Sequence, residues 1–310
     1  MRYKVMGSVL MILGTSLGAG MLALPVVSSQ QPFLITCLML VLTWLLMTVG
    51  AFALLEVNLW FPAGSNLVSM AKGTLGNTGK VFVWLIYLAL LYCLICSYLS
   101  GAGDVLTGWL SKIGIEISLW LADCIALLIL GSIVVVGIRS VDHVNRILMF
   151  FKMAAYAFVV VMILPQMQIG RLVNYQSSWH GSVLTVMITS FGFAIIVPSI
   201  RAYLGTSERN LKRVLFLGSL IPLVIYLLWI MAVQGLLNHG SLLEILHSNV
   251  SNSALIAAVS SVLSGMWHGQ SESVSHALGF FVSVCVMTSF LGVSICLIDF
   301  IADGLHLKKS

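Results

Sequence analysis

Eight stretches of apolar residues, each near the length that crosses a bilayer as a helix, constrain this chain more than any other feature. They cover approximately 5–28, 33–60, 81–104, 118–137, 144–165, 182–200, 213–235 and 276–302. Hydrocarbon offers no partner for a backbone N–H or C=O, so such stretches must be helices that satisfy their own hydrogen bonds. Composition agrees: 60% of the 310 residues are hydrophobic and 8% charged, against about a quarter charged in ordinary soluble domains. The expected class is therefore an all-α polytopic membrane protein. The segment between the seventh and eighth spans, Leu236 to Ser275, has a short apolar core, Ser253 to Leu263, expected to lie on the outer surface or dip in as a lid.

Lysine and arginine set the orientation. With a cytoplasmic N-terminus, thirteen of the fifteen fall on or near the inner side: Arg2, Lys4, Lys72, Lys80, Arg139, Arg146, Lys152, Arg201, Arg209, Lys212, Arg213, Lys308 and Lys309. Only Lys112 and Arg171 fall outside. That asymmetry obeys the positive-inside rule, so the net charge of +5 reports topology and calls for no nucleic-acid partner. Trp60, Trp109, Trp120 and Trp179 fall near span ends, as interfacial aromatics do.

Two spans carry helix breakers at bilayer depth. The first contains Gly14-Thr-Ser-Leu-Gly-Ala-Gly20, and the sixth contains Thr189-Ser-Phe-Gly-Phe193 followed by Pro198. Each break frees backbone groups that only protein or a polar ligand can satisfy. Close packing of small residues is the competing explanation. Placed at the starts of two halves of opposite orientation, the breaks predict an inverted-repeat transporter fold. Its repeats would be 1–165, spans one to five, and 166–310, spans six to eight.

The opening Gly14 to Pro25, Leu54-Leu-Glu-Val-Asn58, Thr189 to Phe193 with Ile196-Val-Pro-Ser199, and Leu297 to Gly304 together resemble the bacterial aromatic amino acid permeases. These are the tyrosine and tryptophan permeases of the amino acid, polyamine and organocation superfamily. The resemblance covers the chain. It implies import of an aromatic amino acid by proton symport across the inner membrane, with substrate and membrane lipid as partners and no cofactor. Members of the family carry further spans beyond the eighth. The second repeat is therefore expected to be truncated, and a transport-inactive fragment is the alternative function.

Under that resemblance the substrate carboxylate lies against the amides of Thr15, Ser16, Leu17, Gly18, Ala19 and Gly20, at a half-helix N-terminus. The ammonium faces the carbonyls of Thr189, Ser190 and Phe191 beside Gly192. Phe191, Phe193 and Tyr92 or Tyr98 are expected to wall the aromatic slot, ordinary packing being the alternative for the tyrosines. Lys152 lies roughly 12 Å into the fifth span at the helical rise per residue. In proton-driven relatives a fifth-span lysine takes the place of sodium, and loss of solvation would let Lys152 exchange a proton. Alternatively its stem snorkels to the interface. Thr288 and Ser289 resemble a sodium-coordinating hydroxyl pair, which leaves sodium coupling open beside protons.

Other polar residues point less sharply. Glu56 with Asn58, and Asp123, are expected to make structural hydrogen bonds or to relay protons, and Asp299 and Asp303 to form an interfacial cluster with Lys308 and Lys309. Cys37, Cys93, Cys96, Cys124, Cys285 and Cys296 all sit in apolar runs and read as buried hydrophobes. No nucleophile with its base is present, nor a metal-ligand spacing among the histidines, so neither an enzyme nor a metal centre is expected.

Overall fold

The computed structural model describes residues 2–62, 65, 67–136, 138–173, 181–205, 207–247, 255, 258–259, 262 and 271–304. Every element among them is helical. They are α1 Arg2–Ser16, α2 Ala19–Ser28, α3 Phe33–Leu59, α4 Leu67–Lys112, α5 Leu119–Val136 and α6 Ile138–Ile163. There follow α7 Ile169–Val173, α8 Ser182–Ser190, α9 Val197–Leu204, α10 Glu208–Leu236, α11 His239–His247 and α12 Ser271–Gly304. Seven helices are long and apolar enough to cross a membrane, and the bent pair α1 and α2 makes up to eight, as the apolar pattern predicts.

The third span is longer than expected. α4 begins at Leu67, and the backbone leaves helical geometry at Gly76, where φ is +73°. Glycine takes that left-handed value without the Cβ clash other residues meet, so the chain turns there and Leu67 to Leu75 form a separate leg ahead of the span.

The helices sort into two groups. In one, α10 packs along α1, α2 and α3, while α3 and α2 pack on α8. In the other, α12 packs on α4 and α6, and α5 on α4. The groups meet where α6 touches α10 and where α12 touches α1 and α2. One large apolar core runs through the first group and onto α6 and α12, with Trp229, Tyr226, Phe191, Phe193 and Phe281 fully buried in it. Leu255 and Val259, from the expected lid segment, are buried in the same core, so that part of the segment packs inward. Ala258 and Val262 pack against it too, and α11 buries Leu242 and Ile245 there, whereas 248–254, 256–257, 260–261 and 263–270 lie outside the described residues.

Exposed apolar side chains such as Leu34, Leu38, Leu46, Phe82 and Leu128 cover the outside, as a lipid-facing surface requires. Trp60, Trp109 and Trp120 are exposed, as interfacial aromatics should be, whereas Trp179 lies outside the described residues. At its C-terminus α10 is capped by Arg171, whose Nη1 donates to the carbonyl of Leu236, the last helical residue. A cation at a helix C-terminus meets carbonyls that have no donor of their own.

Candidate functional site at two helix breaks

Both predicted breaks are present, and both are narrower than the glycine pattern suggested. α1 stays helical through Ser16, which includes Gly14 and Thr15, and the chain then opens at Leu17 and Gly18. Gly18 is extended, with φ −124° and ψ −158°, and the two half-helices diverge by 52°. In the sixth span α8 ends at Ser190, Phe191 departs to φ −98° and ψ 28°, and a 3-10 stretch, Gly192–Ile196, leads into α9. The second break is thus a rewound segment; Pro198 sits in the first turn of α9, where its missing N–H costs nothing.

The two breaks touch. A β-carbon on Gly20 would stand 3.0 Å from the Ser190 hydroxyl oxygen and 3.6 Å from its Cα, so any larger residue would need that hydroxyl to give way by a few tenths of an ångström. No described heavy atom lies within 4 Å of where a Gly192 β-carbon would be, which leaves room beside the second break. The first turn of α2, at Ala19 and Gly20, directs its N–H groups into the break by helix geometry. The Ala19 side chain lies outside the described atoms. Ser16 is buried and its hydroxyl oxygen has no partner.

One residue that sequence reasoning missed ties the breaks together. Tyr226 of α10 is fully buried, and its hydroxyl lies 2.5 Å from the Ser16 carbonyl oxygen and 2.9 Å from that of Ser190. A phenol has one proton, so the two carbonyls share it, and the Ser16 carbonyl accepts in addition from the Gly18 amide at 2.8 Å. Its ring meets Phe191 edge-on at 5.2 Å. Two turns further along α10, buried Gln234 donates to the Pro25 carbonyl at 3.0 Å and to Ser28 Oγ at 2.9 Å. α10 therefore braces both halves of the broken first span. The available signal was a tyrosine and a glutamine eight residues apart in the apolar second half of a helix.

Lys152, Thr288 and the first break converge. Lys152 is 1% exposed, so it does not snorkel. Its ammonium donates to the Leu17 carbonyl at 2.5 Å and to Thr288 Oγ1 at 3.0 Å. The Thr288 hydroxyl in turn donates back to its own helix, at Val284 O and Cys285 O. Ser289 lies against Gly18, where a β-carbon would overlap its hydroxyl oxygen. One turn along α6, Tyr156 donates to the Ile225 carbonyl at 3.0 Å, so α6 grips both the first break and α10.

The aromatic candidates divide. Phe191 and Phe193 are fully buried at the second break. Tyr98 packs inward with Leu130, Phe290 and Leu291. Tyr92 is 50% exposed, on a different face of α4 from buried Leu91, and none of its described contacts join it to either break. Thr15 and Thr189 are exposed, and their hydroxyls bond carbonyls one turn back in their own helices. Glu56, expected to make a structural hydrogen bond, is exposed, whereas its neighbour Asn58 is buried and hydrogen-bonded. Asp123 packs its carboxyl on Gly103, where a β-carbon would overlap it. The side chains of Asp299 and Asp303, and Lys308 and Lys309 entirely, lie outside the described residues. No cluster of metal-ligating side chains occurs among the described residues.

The model of the tryptophan/tyrosine permease family matches residues 1–310. The chain belongs to that family. The permease is 34% identical over 307 residues to Tyrosine-specific transport system 2 of Haemophilus influenzae, covering 98% of this chain and 74% of that relative. It is 30% identical over 313 residues to the tryptophan-specific transport protein of the same organism, covering 97% and 73%. It is also 31% identical over 314 residues to Glutamine transporter 2 of Aliivibrio fischeri, covering 100% and 78%. It is a multi-pass membrane permease.

Proposed function

We propose that this permease imports an aromatic amino acid, tyrosine or tryptophan, across the bacterial inner membrane by proton symport, with its N-terminus in the cytoplasm. The observation that carries the reading is the contact between the breaks at Gly20 and Ser190, beside the unpartnered Ser16 hydroxyl and the open space at Gly192. The first turn of α2 offers N–H groups and positive dipole to a carboxylate. The Ser190 carbonyl shares the phenolic proton and retains capacity for an ammonium, whereas the Ser16 carbonyl also accepts from the Gly18 amide at 2.8 Å. Phe191 and Phe193 supply aromatic surface beside them. The names of two of the three relatives specify aromatic substrates, while the glutamine transporter makes that amino acid the natural competitor in a test.

Coupling rests on Lys152. Charged, it holds the Leu17 carbonyl and Thr288 together; on losing its proton it retains fewer donors and no charge, and the first break loosens from α12. The ammonium occupies the oxygens a sodium ion would need, which favours the proton. In this reading 1–165 and 166–310 are inverted repeats, each opening with a broken span. Uptake of labelled tyrosine, tryptophan and glutamine into proteoliposomes, under a pH gradient, a sodium gradient or neither, tests it. Saturable uptake of tyrosine or tryptophan that needs the pH gradient is expected. Preferential glutamine uptake would overturn the substrate, sodium dependence the coupling, and negligible uptake of all three the transport reading.

A further inference from the structure

Arg201 counts in the sequence among the inner-side charges that fix topology, yet it is only 4% exposed. It lies on α9, the inner half of the second broken span. Its Nη1 donates to the backbone oxygen of Asn58 and, at 3.1 Å, to Asn58 Oδ1, and its Nη2 donates to the Phe61 carbonyl at 2.9 Å. Its Nε has no partner. These acceptors are the final turn of α3 and the residues just after it, where carbonyls lack intrahelical donors and the dipole is negative. A helix end therefore stabilises this buried charge, and a planar fork reaches acceptors that an ammonium cannot hold at once.

Asn58 and Phe61 face the other helix group as well. Asn58 Nδ2 lies 3.2 Å from the Ser65 carbonyl oxygen and 3.2 Å from Met70 Sδ, at the start of α4. The Phe61 ring fills the space where Gly73 of that leg would carry a β-carbon. One knot of side chains thus joins α9 and α3 to the leg that leads into the third span. The other polar bonds described above between the groups run through Lys152 and Tyr156.

We propose that Arg201 is a positioning residue that, through Asn58 and Phe61, clamps α9 against α3 and the start of α4, and that this clamp must yield for the inner mouth to open. Its purpose rests on the transport reading, but its geometry is measurable without substrate. Val197 lies one turn before Arg201 on the same face of α9, is 1% exposed, and accepts cysteine with little change in shape.

Alkylation of Val197→Cys by a membrane-impermeant maleimide in everted membrane vesicles reads the clamp, with the chain lacking that cysteine as the blank. Opening governs the rate, so Arg201→Gln should label at least about fivefold faster than Val197→Cys alone, and Arg201→Lys in between. A cysteine at Ile230, fully buried in α10 away from the clamp, should label no faster in Arg201→Gln than in the parent chain. A merely misfolded protein would label fast at both positions, so that arm separates collapse from release. Unchanged labelling of Val197→Cys in Arg201→Gln, or equally accelerated labelling of Ile230→Cys, overturns the clamp. Tyrosine binding to the same preparations should stay within about threefold in Arg201→Gln while uptake falls at least about tenfold, a split that gating predicts. Loss of binding in step with uptake overturns the positioning role. Absence of binding in the parent chain condemns the transport reading instead, while the labelling rates still judge the clamp.

Discussion

Gly18 and Ser289 lie so close that a β-carbon on Gly18 would overlap the Ser289 hydroxyl oxygen, while the Ser289 β-carbon would stand 3.4 Å away. Beside the Lys152 bridge, the first break thus packs on α12 against this hydroxyl, which donates to the Cys285 carbonyl at 2.8 Å. Gly18→Ala forces that hydroxyl out of place and should destabilise the permease by roughly 1–3 kcal/mol, the usual cost of overpacking. Adding Ser289→Ala removes the clashing atom and should restore most of the loss. Thermal unfolding of the two single variants and the double variant measures this coupling, and a double variant no more stable than Gly18→Ala would refute it.

Tyr226→Phe keeps the ring contact with Phe191 and removes the donor shared by Ser16 and Ser190. Leaving two buried carbonyls without it should cost about 1–3 kcal/mol of stability. Because the same hydroxyl aligns the breaks, the dissociation constant for substrate should rise about tenfold, an order-of-magnitude expectation for about 1.4 kcal/mol. Equilibrium binding of labelled tyrosine checks it; an unchanged constant would make the tyrosine a packing residue only.

Lys152→Met replaces a buried cation by an apolar side chain of similar length. Removing a buried charge together with its desolvation cost is often close to neutral for folding, so the variant should purify as a folded protein. Uptake in it should lose its response to an imposed pH gradient. Counterflow exchange, which needs no gradient, should persist in the same proteoliposomes. A gradient response equal to that of the unaltered permease would remove Lys152 from the coupling mechanism.

The aromatic candidates make opposite predictions. Tyr92 is half exposed and Phe191 fully buried beside the breaks. Tyr92→Ala should leave the tyrosine dissociation constant within about twofold, as surface changes do. Phe191→Leu, which keeps the core filled but removes the ring, should weaken binding by about two- to tenfold, since an aromatic pair adds about 0.5–1.5 kcal/mol beyond burial. Competition binding with tyrosine, tryptophan and glutamine would show whether the loss is confined to the aromatic ligands.

Much of the fold was legible because its signals are local. A run of about twenty apolar residues can only be a helix in a bilayer, and Gly18 or Phe191-Gly192 interrupt winding through their own backbone and neighbours. Lys152 was conspicuous for the same reason, a charge at depth in an apolar run. Less visible was the extent of each break: Gly14 and Gly20 remain helical because one glycine in a well-packed helix costs only about 1 kcal/mol. The separate leg ahead of the third span was missed, since a single left-handed glycine at Gly76 leaves no trace in hydropathy.

By itself, the order of residues determined that this chain crosses a membrane as helices and that two of them break. Which freed carbonyls are held, and by whom, was decided only in three dimensions. Leu17 is joined to Lys152 across 135 positions, Ser16 to Tyr226 across 210, and Asn58 to Arg201 across 143. The depth and rotation of each helix follow from packing summed over its many neighbours. A shift of a single residue turns a side chain by about 100° around its helix, so no local pattern specifies which partner it will meet.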